Sequence, residues 1–188
     1  MSILTIKDIV VDKSWTLFLD RDGVINKRLV DDYVKSWSEF EFLDAVPESI
    51  AKFSEIFGII VVVTNQQGIG KKLMSEGDLK NIHDNMGETV KNNGGRIDKF
   101  YHCPLLKSEE PNCRKPLPVM GLKAKKDFPE IDFKKSIMVG DSISDMEFGR
   151  ALGMFNVFIT PNPTKPDGNL THYQTTNLKD FTSILQYK

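Results

Sequence analysis

Trp15-Thr16-Leu17-Phe18-Leu19-Asp20-Arg21-Asp22-Gly23 is the stretch that decides how this chain folds. Trp15 to Leu19 reads as a strand that runs straight into two carboxylates and a glycine. In an extended segment residues two apart point to the same side, so Asp20 and Asp22 can both face one ligand. Gly23 directly after the pair fits a tight turn with close backbone approach.

The pattern recurs outward from there. Ile59 to Val63 is apolar on both faces, as central parallel strands are, and ends on Thr64 and Asn65. Ser136 to Val139 is a third strand, ending at Gly140-Asp141. Phe155 to Ile159 is a fourth, and a short strand is expected near Ile97 to Tyr101. Helices alternate with these strands. One spans Val46 to Phe57, with Pro47 in its first turn, where a missing N–H is harmless, and with Gly58 after it. Another spans Glu76 to Asn92, where Leu79, Ile82, Met86 and Val90 recur at three- and four-residue spacing. Further helices run from near Pro118 to before Pro129, from Ser144 to Leu152, and from Leu178 to Gln186. Ile3 to Val11 is read as an extra strand or hairpin, and Cys103 to Lys115 as an irregular loop. Such alternation predicts an α/β fold, a Rossmann-like parallel sheet with helices on both faces, in a single domain over residues 1–188. Ligands of such sheets bind beyond the carboxyl ends of the strands, so the polar clusters at Asp20/Asp22, Thr64/Asn65 and Asp141/Asp145 are expected to meet in one cleft.

Composition limits what the cleft serves. The 25 basic and 26 acidic side chains nearly cancel, which leaves no basic excess for nucleic acid. An anionic ligand must then be held by a local site. Residues 1–10 lack a basic start followed by a long apolar stretch and are not expected to act as a signal peptide. The apolar run Ile59 to Val63 is too short to span a bilayer. The two cysteines, Cys103 and Cys113, cannot build a disulfide framework. The expectations are a cytoplasmic location, a small phosphorylated metabolite as partner, no nucleic acid, no membrane, and a monomer or small homo-oligomer.

The clustered residue types permit phosphoryl chemistry. Two close carboxylates need a cation, and a hard, oxygen-rich site suits Mg²⁺; Asp141 supplies a third carboxylate. Asp20 is a plausible nucleophile at phosphorus. Asp22 is placed to protonate the leaving oxygen and then to accept a proton from the hydrolytic water. Thr64 and Asn65 offer donors to phosphate oxygens, Lys115 a fixed positive charge, and Arg114 a planar fork for a second anionic group or for sugar hydroxyls. Taken singly, each has a plainer reading: a turn pair for the aspartates, a polar turn for Thr64-Asn65, a solvated pair for Arg114-Lys115. Asp145 either caps the helix that follows or orients Lys115. Ser142 lines the site without reacting. His83 is structural, Trp15 and Trp37 are packing anchors, and His172 has no evident partner. Lys71-Lys72 reads as a solvated turn, with reach to an anionic substrate as the alternative.

Phe18-Leu19-Asp20-Arg21-Asp22-Gly23-Val24-Ile25-Asn26 resembles the first motif of haloacid dehalogenase superfamily phosphatases. Val63 to Ile69 resembles the second, Arg114-Lys115-Pro116 the third, and Val139 to Asp145 the fourth, in that order. Tyr33-Val34, Phe40-Glu41-Phe42, Tyr101-His102-Cys103-Pro104 and Cys113-Arg114-Lys115-Pro116 are similar to the heptose bisphosphate phosphatase and histidinol phosphatase subgroup. The resemblance implies a capless Mg²⁺-dependent phosphatase. In it Asp20 is the nucleophile, Asp22 the acid/base, and Thr64 and Lys115 are phosphate ligands. Asp20, Asp22 and Asp141 hold the ion, and Arg114 contacts substrate. Members of that subgroup often hold zinc with three cysteines and a histidine, whereas Leu105 and Pro111 stand at two of those places here. No structural zinc is therefore expected, and Cys103 and Cys113 are read as a remnant of that loop or as two ordinary thiols, with Leu105 and Leu106 packing the loop instead. A heptose bisphosphate is the first expected substrate and histidinol phosphate the second. A polynucleotide 3′-phosphatase and a non-catalytic binding module of the same fold are the rival readings.

Overall fold

Residues 6–164 and 169–188 are described by a computed structural model. In chain order the elements are β1 (Val10–Val11), β2 (Thr16–Leu19), α1 (Val46–Ile56), β3 (Ile59–Asn65), α2 (Gln67–Gly70), α3 (Glu76–Asn92), β4 (Lys99–Cys103), α4 (Val119–Asp127), β5 (Ser136–Gly140), α5 (Ile143–Leu152), β6 (Phe155–Ile159), β7 (Tyr173–Thr175), α6 (Leu178–Ile184) and β8 (Gln186–Tyr187). All four residues of β2 are buried, which follows from its place in the middle of the sheet. Six strands pair in parallel in the order β4-β3-β2-β5-β6-β7. The chain moves outward from β2 through β3 to β4, then returns to the other side of β2 for β5. That reversal makes the carboxyl ends of β2 and β5 a switch point, where the following loops diverge and leave a crevice.

Helices cover both faces, as the strand and helix patterns predict. Leu17, Leu19, Ile60, Val62 and Val139 turn to one face and pack with Phe53 of α1, Val90 of α3 and Phe181 of α6. Phe18, Val61, Val63 and Met138 turn to the other, against Met120 of α4 and Phe148 of α5. The period-2 alternation of side chains along each strand is thus used twice, once per layer. At the start of α3 the Ser75 hydroxyl accepts from the Asp78 backbone N–H, and Asp78 reaches back to Ser75. This capping box fixes where the helix begins. Among the described residues no helix is long and apolar enough to cross a membrane.

Five expectations need correction. The edge strand lies at Lys99–Cys103, two residues beyond the expected span, because Asp98 just before it uses its carboxylate to accept from the Ile60 N–H at 2.7 Å. At the N-terminus, residues 3–5 lie outside the described residues. Ile6–Asp8 forms a short 3₁₀ turn, and of the two alternatives the extra strand holds, at Val10–Val11 alone, where β1 pairs with β8 and not in a local hairpin. The last helix stops at Ile184, and Gln186–Tyr187 supplies that pairing strand. Cys103 and Cys113 are neither free thiols nor metal ligands but a disulfide, their Cα atoms 5.5 Å apart. The intervening loop doubles back on Asn112, whose Nδ2 donates to the carbonyls of Leu106 and Glu109 at 2.8 and 2.9 Å and whose Oδ1 accepts from the Arg114 N–H at 2.8 Å. Cross-linked sulfurs are not thiolates and so lack the form in which cysteine binds zinc. Leu105 packs on the α4/α5 side of the core, and Leu106 packs beside Gly70. His172 does have partners: its Nδ1 accepts from the Asn156 N–H at 2.9 Å, and its ring stacks on Phe155.

His83 is buried on α3, stacked on Phe100 with ring centroids 4.7 Å apart. Burial, with the charge of Arg21 nearby, pushes its pKa down to about 3. Between that value and the unfolded pKa of about 6.5 the unfolded chain binds the extra proton, so this contribution to stability is full above pH ~6.5 and is lost as pH falls. We expect His83→Gln to flatten the acid limb of a stability–pH profile by up to about 1.4 kcal/mol per pH unit. Urea titrations of both proteins at pH 4.5 and 6.5 check this, and parallel slopes would assign the acid sensitivity elsewhere.

Candidate active site

A cavity of about 860 Å³ opens over the carboxyl ends of the central strands, and Asp20, Thr64, Lys115 and Asp145 line its floor. Each arrives from a different segment: Asp20 directly follows β2, Thr64 is the last residue but one of β3, Lys115 closes the loop after β4, and Asp145 lies in the first turn of α5. The Lys115 ammonium, buried at 3% exposure, is the point where they join. It lies 2.8 Å from Asp20 Oδ1 and 2.5 Å from Asp145 Oδ1, and it donates to the Val63 carbonyl at 2.8 Å. Asn65 holds the Lys115 backbone from both sides: its Oδ1 accepts from the Lys115 N–H at 2.9 Å and its Nδ2 donates to the Lys115 carbonyl at 3.2 Å. Asn65, expected among the phosphate donors, therefore spends its side chain on positioning Lys115. Both readings of Asp145 hold at once. Its second oxygen accepts from the Ser142 N–H at 3.1 Å and the Ser142 hydroxyl at 2.5 Å, capping α5, while the first faces Lys115.

The electrostatics are those of an acidic cluster with too little positive charge. Burial is the largest cause that pushes the Asp20 pKa up to about 8, with the Asp145 charge adding to it and Lys115 opposing it. Burial likewise raises Asp141, against the pull of Arg28, whose Nη1 donates to Asp141 Oδ2 at 3.1 Å. Lys115 titrates above its ordinary range: burial alone would lower it, but Asp145 and Asp20 outweigh burial. One oxygen each of Asp20, Asp141 and Asp145 fall within 4.8 Å of one another, and Asp141 Oδ1 is buried without a hydrogen-bond partner among the described residues. A hard divalent cation fits this donor set, because it would satisfy the orphaned oxygen and the surplus negative charge together. Gly23 makes the approach feasible. Its φ is +90°, and a Cβ there would lie 2.0 Å from Asp141 Oδ2.

Asp22 is oriented differently from its neighbours. Its carboxylate accepts from Arg21 Nη2 on both oxygens, at 2.8 and 2.9 Å, from Arg21 Nε at 3.3 Å, from Asn26 Nδ2 at 3.0 Å and from Gln66 Nε2 at 2.9 Å. Burial would raise its pKa, but the Arg21 charge and these hydrogen bonds hold it below the usual carboxylate range. The structure thus gathers Asp20, Asp141 and Asp145 at one point and turns the Asp22 side chain to Arg21. Arg21 and Gln66, both fully buried, are the positioning residues that motif reading passed over. Gln66 also donates to Thr64 Oγ1 at 2.8 Å, tying the phosphate-side hydroxyl to Asp22. A guanidinium between two carboxylates at the end of a buried strand was the signal that could have marked Arg21.

This sheet and this lysine-bridged acidic site define the class, a haloacid dehalogenase-type phosphatase that hydrolyses phosphoric monoesters. Residues 16–184 match the family model described as polynucleotide kinase 3 phosphatase, and the chain belongs to that family. A D-glycero-alpha-D-manno-heptose-1,7-bisphosphate 7-phosphatase of Mycobacterium bovis is 44% identical over 133 residues, which cover 71% of this chain and 70% of the relative. One of Campylobacter jejuni, with the same name, is 38% identical over 176 residues, 94% of this chain and 98% of the relative. A crystal structure of D,D-heptose 1,7-bisphosphate phosphatase from B. bronchiseptica, complexed with magnesium and phosphate, superposes with a TM-score of 0.80 at 28% identity, covering 90% of this chain and 96% of that one.

Lys115→Met should leave Asp20 and Asp145 buried without a counter-charge and cost about 3–5 kcal/mol of stability. Adding Asp145→Asn should return part of that loss, since one of the stranded charges is then gone. Urea unfolding of the two single variants and the double variant gives the coupling energy, and strictly additive losses would contradict the bridge.

Proposed function

We propose that this chain is a Mg²⁺-dependent phosphatase of a sugar bisphosphate, with a heptose 1,7-bisphosphate as first substrate, acting through an acyl phosphate on Asp20. The observation that carries the reading is the Lys115 ammonium bridging Asp20 and Asp145 on the floor of the cavity, with an oxygen of Asp141 within 4.8 Å of an oxygen of each. Relatives named heptose bisphosphate phosphatases, one matching nearly the whole chain, support the choice of sugar.

Asp20 and Asp141 supply the carboxylates for the ion, and Asp22 contributes only after its side chain leaves Arg21. When bound, Mg²⁺ neutralises the approach of an anionic phosphate to an anionic nucleophile. Asp20 Oδ attacks phosphorus, the P–O bond to the sugar breaks, and Lys115 with the Thr64 hydroxyl holds the equatorial oxygens. Asp22 gives its proton to the departing sugar oxygen. Leaving Arg21 removes the charge that keeps Asp22 ionised, so the same rotation that brings it to the substrate lets burial favour its protonated form. A water then attacks phosphorus, Asp22 takes its proton, and cleavage of the Asp20–phosphorus link releases inorganic phosphate. Asp145 and Asn65 keep Lys115 in place throughout, and Ser142 secures Asp145.

The family description favours one second reading, a phosphatase of polynucleotide 3′ ends. It calls for a basic groove along a strand, and a near-neutral chain supports it less well. Activity on DNA ends with a steep salt dependence would favour it over the sugar.

Asp20→Asn should lower phosphate release from a heptose bisphosphate by on the order of 10³-fold or more. Rapid quench with ³²P-labelled substrate should leave label on Asp20 of the wild-type protein. Full turnover by the variant would sink the covalent route. Arg114→Ala should raise KM for the bisphosphate about tenfold or more with a smaller change in kcat. A fall confined to kcat would remove Arg114 from substrate binding.

A further inference from the structure

The Thr64 hydroxyl carries one proton, and among the described residues no group accepts it. Its oxygen, by contrast, is engaged and accepts from Gln66 Nε2 at 2.8 Å. Thr64 is buried, yet it lines the cavity. A hydroxyl that accepts on one side turns its proton to another. The protein takes the accepting side, so the proton is left to whatever fills the cavity.

The amide of Gln66 owes its orientation to a second contact. The same Nε2 donates to Asp22 Oδ2 at 2.9 Å. Asp22 also receives Arg21 Nη2 on both oxygens and Asn26 Nδ2 on one of them. All of these partners donate, so the carboxylate can only accept, and an amide that meets it must present nitrogen. Turned over, Gln66 would set its oxygen against a carboxylate oxygen. The present orientation leaves Gln66 Oε1 buried with no partner among the described residues. A bare acceptor in the interior is unfavourable, and the two contacts of Nε2 outweigh it. The backbone of Gln66 is held as well: its N–H donates to the Cys103 carbonyl at 2.8 Å, and its carbonyl accepts from the Ile69 N–H at 3.2 Å.

We propose that Gln66 is a positioning residue that sets the direction of the Thr64 proton, so that the hydroxyl meets the transferring phosphate as a donor. The inference rests on the phosphatase reading and extends it by one link. An ionised phosphate oxygen has only lone pairs to offer, so a hydroxyl stabilises it by donating. With Gln66 in place the hydroxyl has its orientation before the substrate arrives, and none has to be selected on binding. The dependence runs from Arg21 to Asp22, from Asp22 to Gln66 and from Gln66 to Thr64. Asp22, at rest on Arg21, thereby orients the group that receives the phosphate before it moves any proton of its own.

Calorimetric titration of inorganic phosphate into the protein with Mg²⁺ tests the link, because phosphate is the product and reports on the same oxygens without turnover. Thr64→Val should weaken phosphate binding about tenfold or more, the loss of a hydrogen bond to a charged group. Gln66→Met should weaken it about threefold to tenfold, and should cause no further loss in the Thr64→Val protein. Gln66→Asn, which keeps an amide but withdraws it from Thr64, should behave as Gln66→Met does. Thr64→Ser, which keeps the hydroxyl, should retain both the affinity and its sensitivity to Gln66→Met. A merely structural Gln66 would lower affinity by the same factor whether or not the Thr64 hydroxyl is present, and that result overturns the inference. Unchanged affinity in both Gln66 variants overturns it too. Absence of phosphate binding by the wild-type protein would defeat the phosphatase reading and this link with it, whereas normal binding with additive losses defeats the link alone.

Discussion

A buried ammonium holds this site together. Taking Lys115 out of water costs several kcal/mol unless its charge and its donors are met. Here they are met by two carboxylates and a backbone carbonyl, from the end of β2, the first turn of α5 and β3. A displacement of any of these segments would strand a charge in the interior. The Asn65 amide adds a second constraint by holding the lysine's own backbone. Register along β2, β3 and β5 is therefore enforced from the active-site end by electrostatics and from the sheet faces by apolar packing.

The remaining charges fall into two groups. Asp20 and Asp145 on the floor share Lys115, and Asp141 beside them is paired with Arg28, an arrangement short of positive charge and suited to a divalent cation. Lys71, Lys107 and Arg114 line the same cavity and, among the described residues, have no ion pair. The chain as a whole is nearly neutral, so an anionic substrate is drawn by this local separation and not by the net field. Asp22 belongs to neither group. Arg21 turns it aside and, with Asn26 and Gln66, holds its pKa below the usual carboxylate range against the effect of burial.

The parts of the fold that were legible were those with a strong local cause. Ile59 to Val63 reads as a central strand because nothing polar interrupts it, and it is central. Glu76 to Asn92 reads as a helix because its apolar stripe runs unbroken at three- and four-residue spacing, and both ends match. Elements with weak local signals were missed. Tyr173–Thr175 carries no apolar run and becomes a strand only because β6 offers an edge. β1 and β8 are two residues each and exist through one another, across most of the chain's length. The Cys103–Cys113 bond was hidden for a similar reason: it depends on a loop that Asn112 folds, not on the cysteines' spacing alone.

By itself the sequence determined which residues could do chemistry and at which strand ends they would stand, because acidic residues that terminate buried strands of a parallel sheet all emerge on one side. Only the tertiary structure decided how those residues share their contacts. Side-chain direction at a strand end is set by neighbours that arrive from elsewhere in the chain, so motif order could not reveal that Asn65 serves Lys115, that Asp145 both caps a helix and holds the ammonium, or that Asp22 rests on Arg21. The cations beside the site were placed in the same way. Lys71, Lys107 and Arg114 lie up to 43 residues apart in sequence, and only the packing of one loop on another puts their charges around the same cavity.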